Sequence, residues 1–407
     1  MGYVKEMMIR ADEIGWMPEH PDKSVCARCI EDDALAEVVA RNAESKQCDY
    51  CGRRGRKAIA APLDAVTEHM AVCINREYCD PVEVLPWDEG EYVGETFDTR
   101  EMLYEAAGFE VANEHLMEDI LDSFCRDLWC DRDWQVLGPA QRRFAGWEAF
   151  KEVVKHERRY TFWSMEDRDE GRWDPDYMPV GKTLEEISQS VREAGITKRL
   201  PPGKKIWRVR IHMPSERLGD EAEFATPPLS KATQANRMSP AGVPMFYGAD
   251  DFETATTETL DASTTASAMA TGVCFETLIP LSLLDLAELP PIPSFFDDEH
   301  VEMRHSLIFL TRFARDLAEP IVRDGHEHVE YVPTQAFTEY VRWEMKTSDG
   351  EPIHGIRYRG SVTGKACYVL FCGQDECLAN PGAENTRRWL RFVPESLTTR
   401  RIGAGPS

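Results

Sequence analysis

Long apolar runs are missing from this chain. Nowhere among its 407 residues do 18 apolar residues follow one another, which predicts no membrane-spanning helix. The opening MGYVKEMMIRADEIG is charged and amphipathic and lacks the apolar core of a secretory signal. Position six, where N-myristoylation favours serine or threonine, is Glu6, so no acyl anchor is expected. These absences together predict a cytoplasmic protein. Positive charge is also scarce: 47 Lys and Arg stand against 72 Asp and Glu, a formal net charge of −25. A surface of that sign repels a phosphate backbone, which argues against general binding of DNA or RNA.

What is there is enough to fold. At 42% hydrophobic residues the chain can bury a core, and 407 residues suggest about two to three domains. Charge is unevenly spread. Residues 88–122 carry twelve acids against Arg100 alone, whereas residues 201–240 carry seven Lys/Arg against four acids. A locally basic segment in an acidic protein suits a small phosphate-bearing ligand; a solvated basic edge is the alternative.

The first motif is a pair of knuckles, Cys26-x-x-Cys29 and Cys48-x-x-Cys51. Each tight turn offers two thiolates and four complete a tetrahedron, the zinc-ribbon pattern. Four thiolates leave no coordination position for water, so the zinc is expected to be structural and to hold together residues 1–60, a four-cysteine subdomain with little core of its own. A disulfide pair is the other reading. Residues 61–180 read as a mostly helical region, with a capping box Asp98-x-x-Glu101. Cys73, Cys79, Cys125 and Cys130 are spaced too widely for knuckles and are expected as buried thiols. Charge, glycine and proline break every period over 164–182, a linker or capping loop. Thr183-x-x-Glu186 then opens a helix that Gly195 closes.

Ile206–Ile211 (IWRVRI) alternates as a strand, with Arg208 and Arg210 on one face, where two guanidinium groups could grip a pyrophosphate. Asn236–Glu258 (NRMSPAGVPMFYGADDFETATTE) packs a Pro/Gly turn, a strand Val243–Tyr247 and a helix start at Asp250/Asp251 into 23 residues. That order brings Arg237, Tyr247 and Glu258 toward one pocket wall. Further on, Gly272–Leu281 reads as a strand, the loop around Phe295 and Phe296 as either a lid over the substrate or packing, and His305–Ile321 as a helix. Gln335 sits in the first turn of a helix opened by Tyr331-Val-Pro-Thr. Strands follow at Gly355–Tyr358 and Cys367–Cys372, and the end frays from about Thr398.

The spacing of Arg237, Tyr247 and Glu258, with WRVR (Trp207–Arg210) before and GIRYRGS (Gly355–Ser361) after, resembles the RES domain, a toxin module related to ADP-ribosyltransferases that consumes NAD. The amino-terminal knuckles resemble the start of the N-terminal domain joined to HEPN or RES modules, which implies a regulatory role for the zinc subdomain and for the helical region 61–180. The resemblance implies an α+β chain: an ADP-ribosyltransferase-like RES domain over 183–397, preceded by the zinc-knuckle and helical regions. It implies NAD as substrate, an inhibitory antitoxin or activating partner, and a toxin or antiphage defence role; oligomeric state stays open. Arg208 takes the place of the family arginine. The family serine often stands where this chain has Gly360, and its role is carried to Ser361. Gln335 matches a family Tyr-x-Pro-Thr-Gln and would meet an amide or anion.

For such a substrate the residue types suggest a chemistry. Cleaving the nicotinamide–ribose bond builds positive charge on the sugar, which Glu258 would stabilise. Tyr247 would stack on the pyridinium, Arg208 and Arg237 would hold the diphosphate, and Ser361 would orient the ribose or the amide. Water or phosphate would then capture the ribosyl group, making the chain an NAD glycohydrolase or phosphorylase; transfer of ADP-ribose to a protein target, or a non-enzymatic zinc-ribbon interaction protein, are the alternatives. An Arg323-x4-His328 ribonuclease motif is a weaker one.

Overall fold

The computed structural model describes residues 11, 13–165, 176–260, 267–321, 325–378 and 388–402. Most of the linker at 164–182, and Arg323 of the ribonuclease motif, lie outside them. Two compact units emerge, Met1–Gly138 with Ile292–His305, and Pro139–Pro291 with Ser306–Ser407. Helix and sheet are mixed, an α+β chain. Among the described residues no helix is long and apolar enough to cross a membrane.

In unit one, helix α1 (Asp33–Arg41) starts where the Asp32 carboxylate accepts from the Leu35 N–H at 2.9 Å. Its buried stripe, Leu35, Val38 and Val39, faces the core. Helices α2 (Leu63–Glu77) and α3 (Glu114–Asp122) bury Val66, Met70 and Ile74, and Leu116 and Ile120, at helical spacing. All of these join one cluster with Trp16, Val25, Ile30 and Trp129, so the knuckle segment and the helices after it share an interior.

Phe295 and Phe296, 3% and 1% exposed, complete that cluster. The Phe296 carbonyl lies 2.9 Å from His69 Nε2, and the Phe295 carbonyl accepts from Arg76 Nη2 at 2.6 Å. Packing, not closure over a substrate, is therefore what this proline-rich loop does; two such rings contribute about 3–6 kcal/mol. The Asp98/Glu101 capping box forms, but the turn it starts runs on as a π-type helix from Met102. Cys73, Cys79 and Cys130 are buried as expected, whereas Cys125 is exposed.

Unit two is built on eight strands: β1 (Thr197–Leu200), β2 (Lys205–His212), β3 (Phe246–Ala249), β4 (Met269–Thr277), β5 (Leu281–Asp285), β6 (Gly355–Arg359), β7 (Ala366–Leu370) and β8 (Leu390–Arg401). Their order is β8-β4-β2-β3-β7-β6-β5-β1, antiparallel except between β5 and β6. On β2 the expected alternation holds. Val209 packs with Phe252 and Ala249, and Ile206 packs on the opposite face with Phe246 and Phe275.

β2 pairs with β4 from Lys205 to His212, yet meets β3 through a single pair, Trp207 with Ala249. Gly248 permits that approach, since a Cβ there would lie 2.5 Å from Ile206 Cγ2 and 2.8 Å from the Trp207 carbonyl. Beyond the one pair the sheet parts, leaving room between β2 and β3.

Several boundaries differ from the sequence expectation, among them the strand expected at Cys367–Cys372, which is Ala366–Leu370, and the helix expected at His305–Ile321, which is Val301–Ala318. The strand expected at Val243–Tyr247 falls at Phe246–Ala249. The strand expected at Gly272–Leu281 divides into β4 and β5 around Pro280, which has no N–H to give a ladder. The tail is paired through Arg401 against Met269 rather than frayed. Thr183 lies inside helix α5 (Thr183–Ala194), its hydroxyl directed at the Gly146 carbonyl instead of forming a cap; Gly195, at φ +62°, closes the helix as expected. Helix α4 (Pro139–His156), grouped by the sequence with 61–180, packs in unit two: Trp147 stacks on Phe150 and meets Phe313 edge-on.

Candidate functional site

Where β2 and β3 part lies a cavity of about 650 Å³. Its walls include Arg208 and Arg210 from β2, Tyr247 from β3, Glu258 from helix α6 (Phe252–Thr259) and Tyr358 from β6. Of the residues singled out by sequence, it brings together Arg208, Tyr247 and Glu258. Arg237, Gln335 and Ser361 are not on its walls.

Arg208 is 7% exposed. Its Nη1 donates to the Tyr247 carbonyl at 3.1 Å, and its guanidinium lies 4.9 Å from the Phe246 ring centroid. Its Nε has no hydrogen-bond partner among the described residues. Burial, with Arg210 next to it, pulls the guanidinium pKa down to about 9, so it stays charged at neutral pH. A buried cation with an unpaired donor is costly, and an anion entering the cavity would offset that cost. Arg210 gives its Nε to the Glu223 carbonyl at 3.1 Å, and burial lowers its pKa as well.

Tyr247 is half-buried, its hydroxyl 2.9 Å from Ser239 Oγ, and burial pushes its pKa up to about 12, leaving a neutral phenol. Gln335 acts from behind this wall. Its Nε2 donates to the Asn236 carbonyl at 2.8 Å and so braces the turn that presents Ser239. Arg237, expected to reach a diphosphate, is turned away: its Nη1 donates to the Leu317 carbonyl, and its own carbonyl accepts from Thr334 Oγ1.

α6 starts where Asp251 accepts from the Thr254 N–H at 2.7 Å, and it places Glu258 in its last turn. A carboxylate there faces the negative end of the helix dipole, and the loop after β6 offsets this. Glu258 Oε1 accepts from Val362 N–H at 3.2 Å and from Thr363 N–H and Oγ1–H, both at 2.7 Å. Gly360 lies directly beneath: a Cβ there would be 2.3 Å from Oε1. The turn, closed by the Gly364 N–H on the Gly360 carbonyl at 2.9 Å, aims Thr363 rather than Ser361 at the carboxylate. Thr363 carried no signal in the sequence. Tyr358 stood in the quoted GIRYRGS but was given no role; here it is a lining residue whose burial holds its phenol well above its ordinary pKa.

In unit one the four knuckle cysteines converge. Sγ–Sγ distances are 3.8 Å for Cys26–Cys29, 3.7 Å for Cys26–Cys51 and 3.8 Å for Cys29–Cys48. A tetrahedron with Zn–S bonds of about 2.3 Å has edges of about 3.8 Å, so the donor set and its size fit zinc. The Cys26 N–H points to Cys48 Sγ at 3.4 Å, as amides do to metal-bound thiolates. Arg53, Arg54 and Lys57 after the second knuckle are exposed.

Residues 205–390 match the family model of the RES domain, and residues 41–168 match that of HEPN/RES N-terminal domain 1. No curated protein matches the chain. A chain from the crystal structure of the M. tuberculosis MbcT–MbcA toxin–antitoxin complex is similar at 12% identity, over 53% of this chain and 92% of that one, with a TM-score of 0.25.

Proposed function

We propose that this chain, which carries a RES domain behind a HEPN/RES N-terminal domain 1, cleaves the nicotinamide–ribose bond of NAD in the cavity between β2 and β3. The observation that carries the reading is that a buried arginine with an open donor and a glutamate line the same cavity. Its volume of about 650 Å³ falls within the roughly 300–1,000 Å³ of small-ligand sites. A dinucleotide offers the matching ends, a diphosphate for Arg208 and a ribosyl pyridinium for Glu258 and the tyrosines.

In this scheme the C1′–N bond breaks and its electron pair returns to the pyridinium nitrogen, so nicotinamide leaves neutral. The ribosyl cation left behind faces the Glu258 carboxylate, whose attraction grows as charge develops on the sugar. Water then attacks C1′ and loses a proton, giving ADP-ribose. Tyr247 and Tyr358 supply aromatic walls, and Gln335 and Arg237 support the wall from outside. The ADP-ribosyltransferase-like character, the toxin or defence role and restraint by a partner protein belong to the same reading, by the RES resemblance. In unit one, Cys26, Cys29, Cys48 and Cys51 hold a structural zinc.

The test is purified full-length protein with NAD, with and without phosphate, followed by free nicotinamide and by the mass of the ribosyl product. ADP-ribose is expected; its 1″-phosphate would mean phosphorolysis, and mass added to a protein would mean transfer. An NAD pool unchanged with protein and candidate partners alike overturns the proposal. Arg208→Met is expected to raise KM for NAD at least about tenfold, through loss of the diphosphate contact. Its Tm should not fall, because a buried charge lacking a full set of partners is removed along with the contact.

A further inference from the structure

We propose that Thr363 is the positioning residue of this site: it holds one oxygen of Glu258 so that the other is left to face the ribose. The inference rests on the reading above and deepens it. Glu258 Oε1 takes three donors, two of them from Thr363, while among the described residues no protein donor reaches Oε2. A glutamate at the end of a helix has three side-chain torsions to fix. One oxygen held by two amides and a hydroxyl fixes the carboxylate plane and saturates that oxygen's lone pairs. The second oxygen keeps its charge for the reaction.

Gly360 is the other half of the device. With Glu258 Oε1 2.3 Å and Cδ 2.4 Å from where a Cβ would lie, no side chain fits at this position while the carboxylate is in place. The hydroxyl that approaches Glu258 therefore comes from three residues further along the turn. Thr363, which gives Glu258 both its N–H and its hydroxyl, takes the role carried to Ser361.

Thr363→Val removes the hydroxyl and keeps the shape; Thr363→Ser keeps the hydroxyl. For Thr363→Val, kcat for nicotinamide release should fall about 10- to 100-fold with KM for NAD changed less than about threefold, since orientation of the charge and not binding of substrate is lost. Thr363→Ser should recover most of kcat. Gly360→Ala should lower kcat at least as much with Tm lower by a few degrees at most, because the group displaced is the far end of a side chain and not backbone, and the loss is its three hydrogen bonds.

A readout without substrate keeps the inference separate from the NAD reading. Amide exchange at Val362 and Thr363 should be slow in the wild type and at least about tenfold faster in Glu258→Ala, since both N–H groups lose their acceptor. Unchanged exchange in Glu258→Ala overturns the inference whether or not NAD is consumed. Wild-type kcat in Thr363→Val overturns it with NAD turnover intact. If the wild type consumes no NAD, the exchange result decides the matter for Thr363 and the failure belongs to the NAD reading.

Discussion

Glu258→Gln lowers nicotinamide release about 10³-fold while Tm moves by no more than a few degrees. The substitution is chosen for what it keeps. Glutamine has the same length and offers an amide oxygen to the Val362 and Thr363 donors, so the loop after β6 retains its acceptor. What goes is the negative charge facing the cavity. A preorganised charge in a partly desolvated site is worth about 10²–10³ or more in rate, and a neutral amide cannot supply it. The check is single-turnover nicotinamide release at saturating NAD beside a thermal melt. Turnover within about threefold of wild type would remove Glu258 from the chemistry; a melt lowered by tens of degrees would show that it holds the fold instead.

Stripping the metal is expected to have the largest effect on stability. The wild type should carry one zinc per chain, and a strong chelator or Cys48→Ser should melt unit one at ordinary temperature. Structural zinc binds with an apparent 10–16 kcal/mol, roughly the whole stability of a typical domain at about 5–15 kcal/mol. Val25 and Ile30, which flank the first knuckle, are both 0% exposed inside the shared cluster of unit one, so losing the knuckle opens the core and not just a surface loop. Metal analysis by mass spectrometry with calorimetry decides it. A chain without zinc whose melting is unchanged by chelator and by Cys48→Ser would refute the site.

Why some of this was legible is plain from individual residues. The Cys-x-x-Cys spacing is itself a geometric constraint, since two thiolates three residues apart in a turn reach one ion. The alternation of β2 and the stop at Gly195 are local as well, fixed by side-chain period and by the left-handed conformation that glycine favours. Tyr247 and Glu258 could be singled out because the strand and helix that carry them are neighbours in sequence and their spacing resembles that of the RES domain.

Residues whose direction depends on distant contacts were not legible. Arg237 is claimed by the carbonyl of Leu317, eighty positions away, and no local pattern announces that. Gln335 likewise answers to Asn236 and Ser239. Ser361 against Thr363 was decided by how a tight turn closes, which a two-residue difference in spacing does not encode. Phe295 and Phe296 read equally well as a lid or as packing, because the sequence does not say which core a remote aromatic pair will join.

That last pair has a consequence for biosynthesis. Unit one takes the two rings from a segment translated about 170 residues after its helix α3 ends at Asp122. A ribosome makes on the order of 5–20 residues per second, so the amino-terminal helices wait many seconds for the piece that closes their interior. By then the helix bearing Glu258 has already been made. Nascent chains stalled before residue 292 should therefore be protease-sensitive at their amino-terminal end. No premature stop can release a finished unit one free of β2, β3 and the helix that follows them.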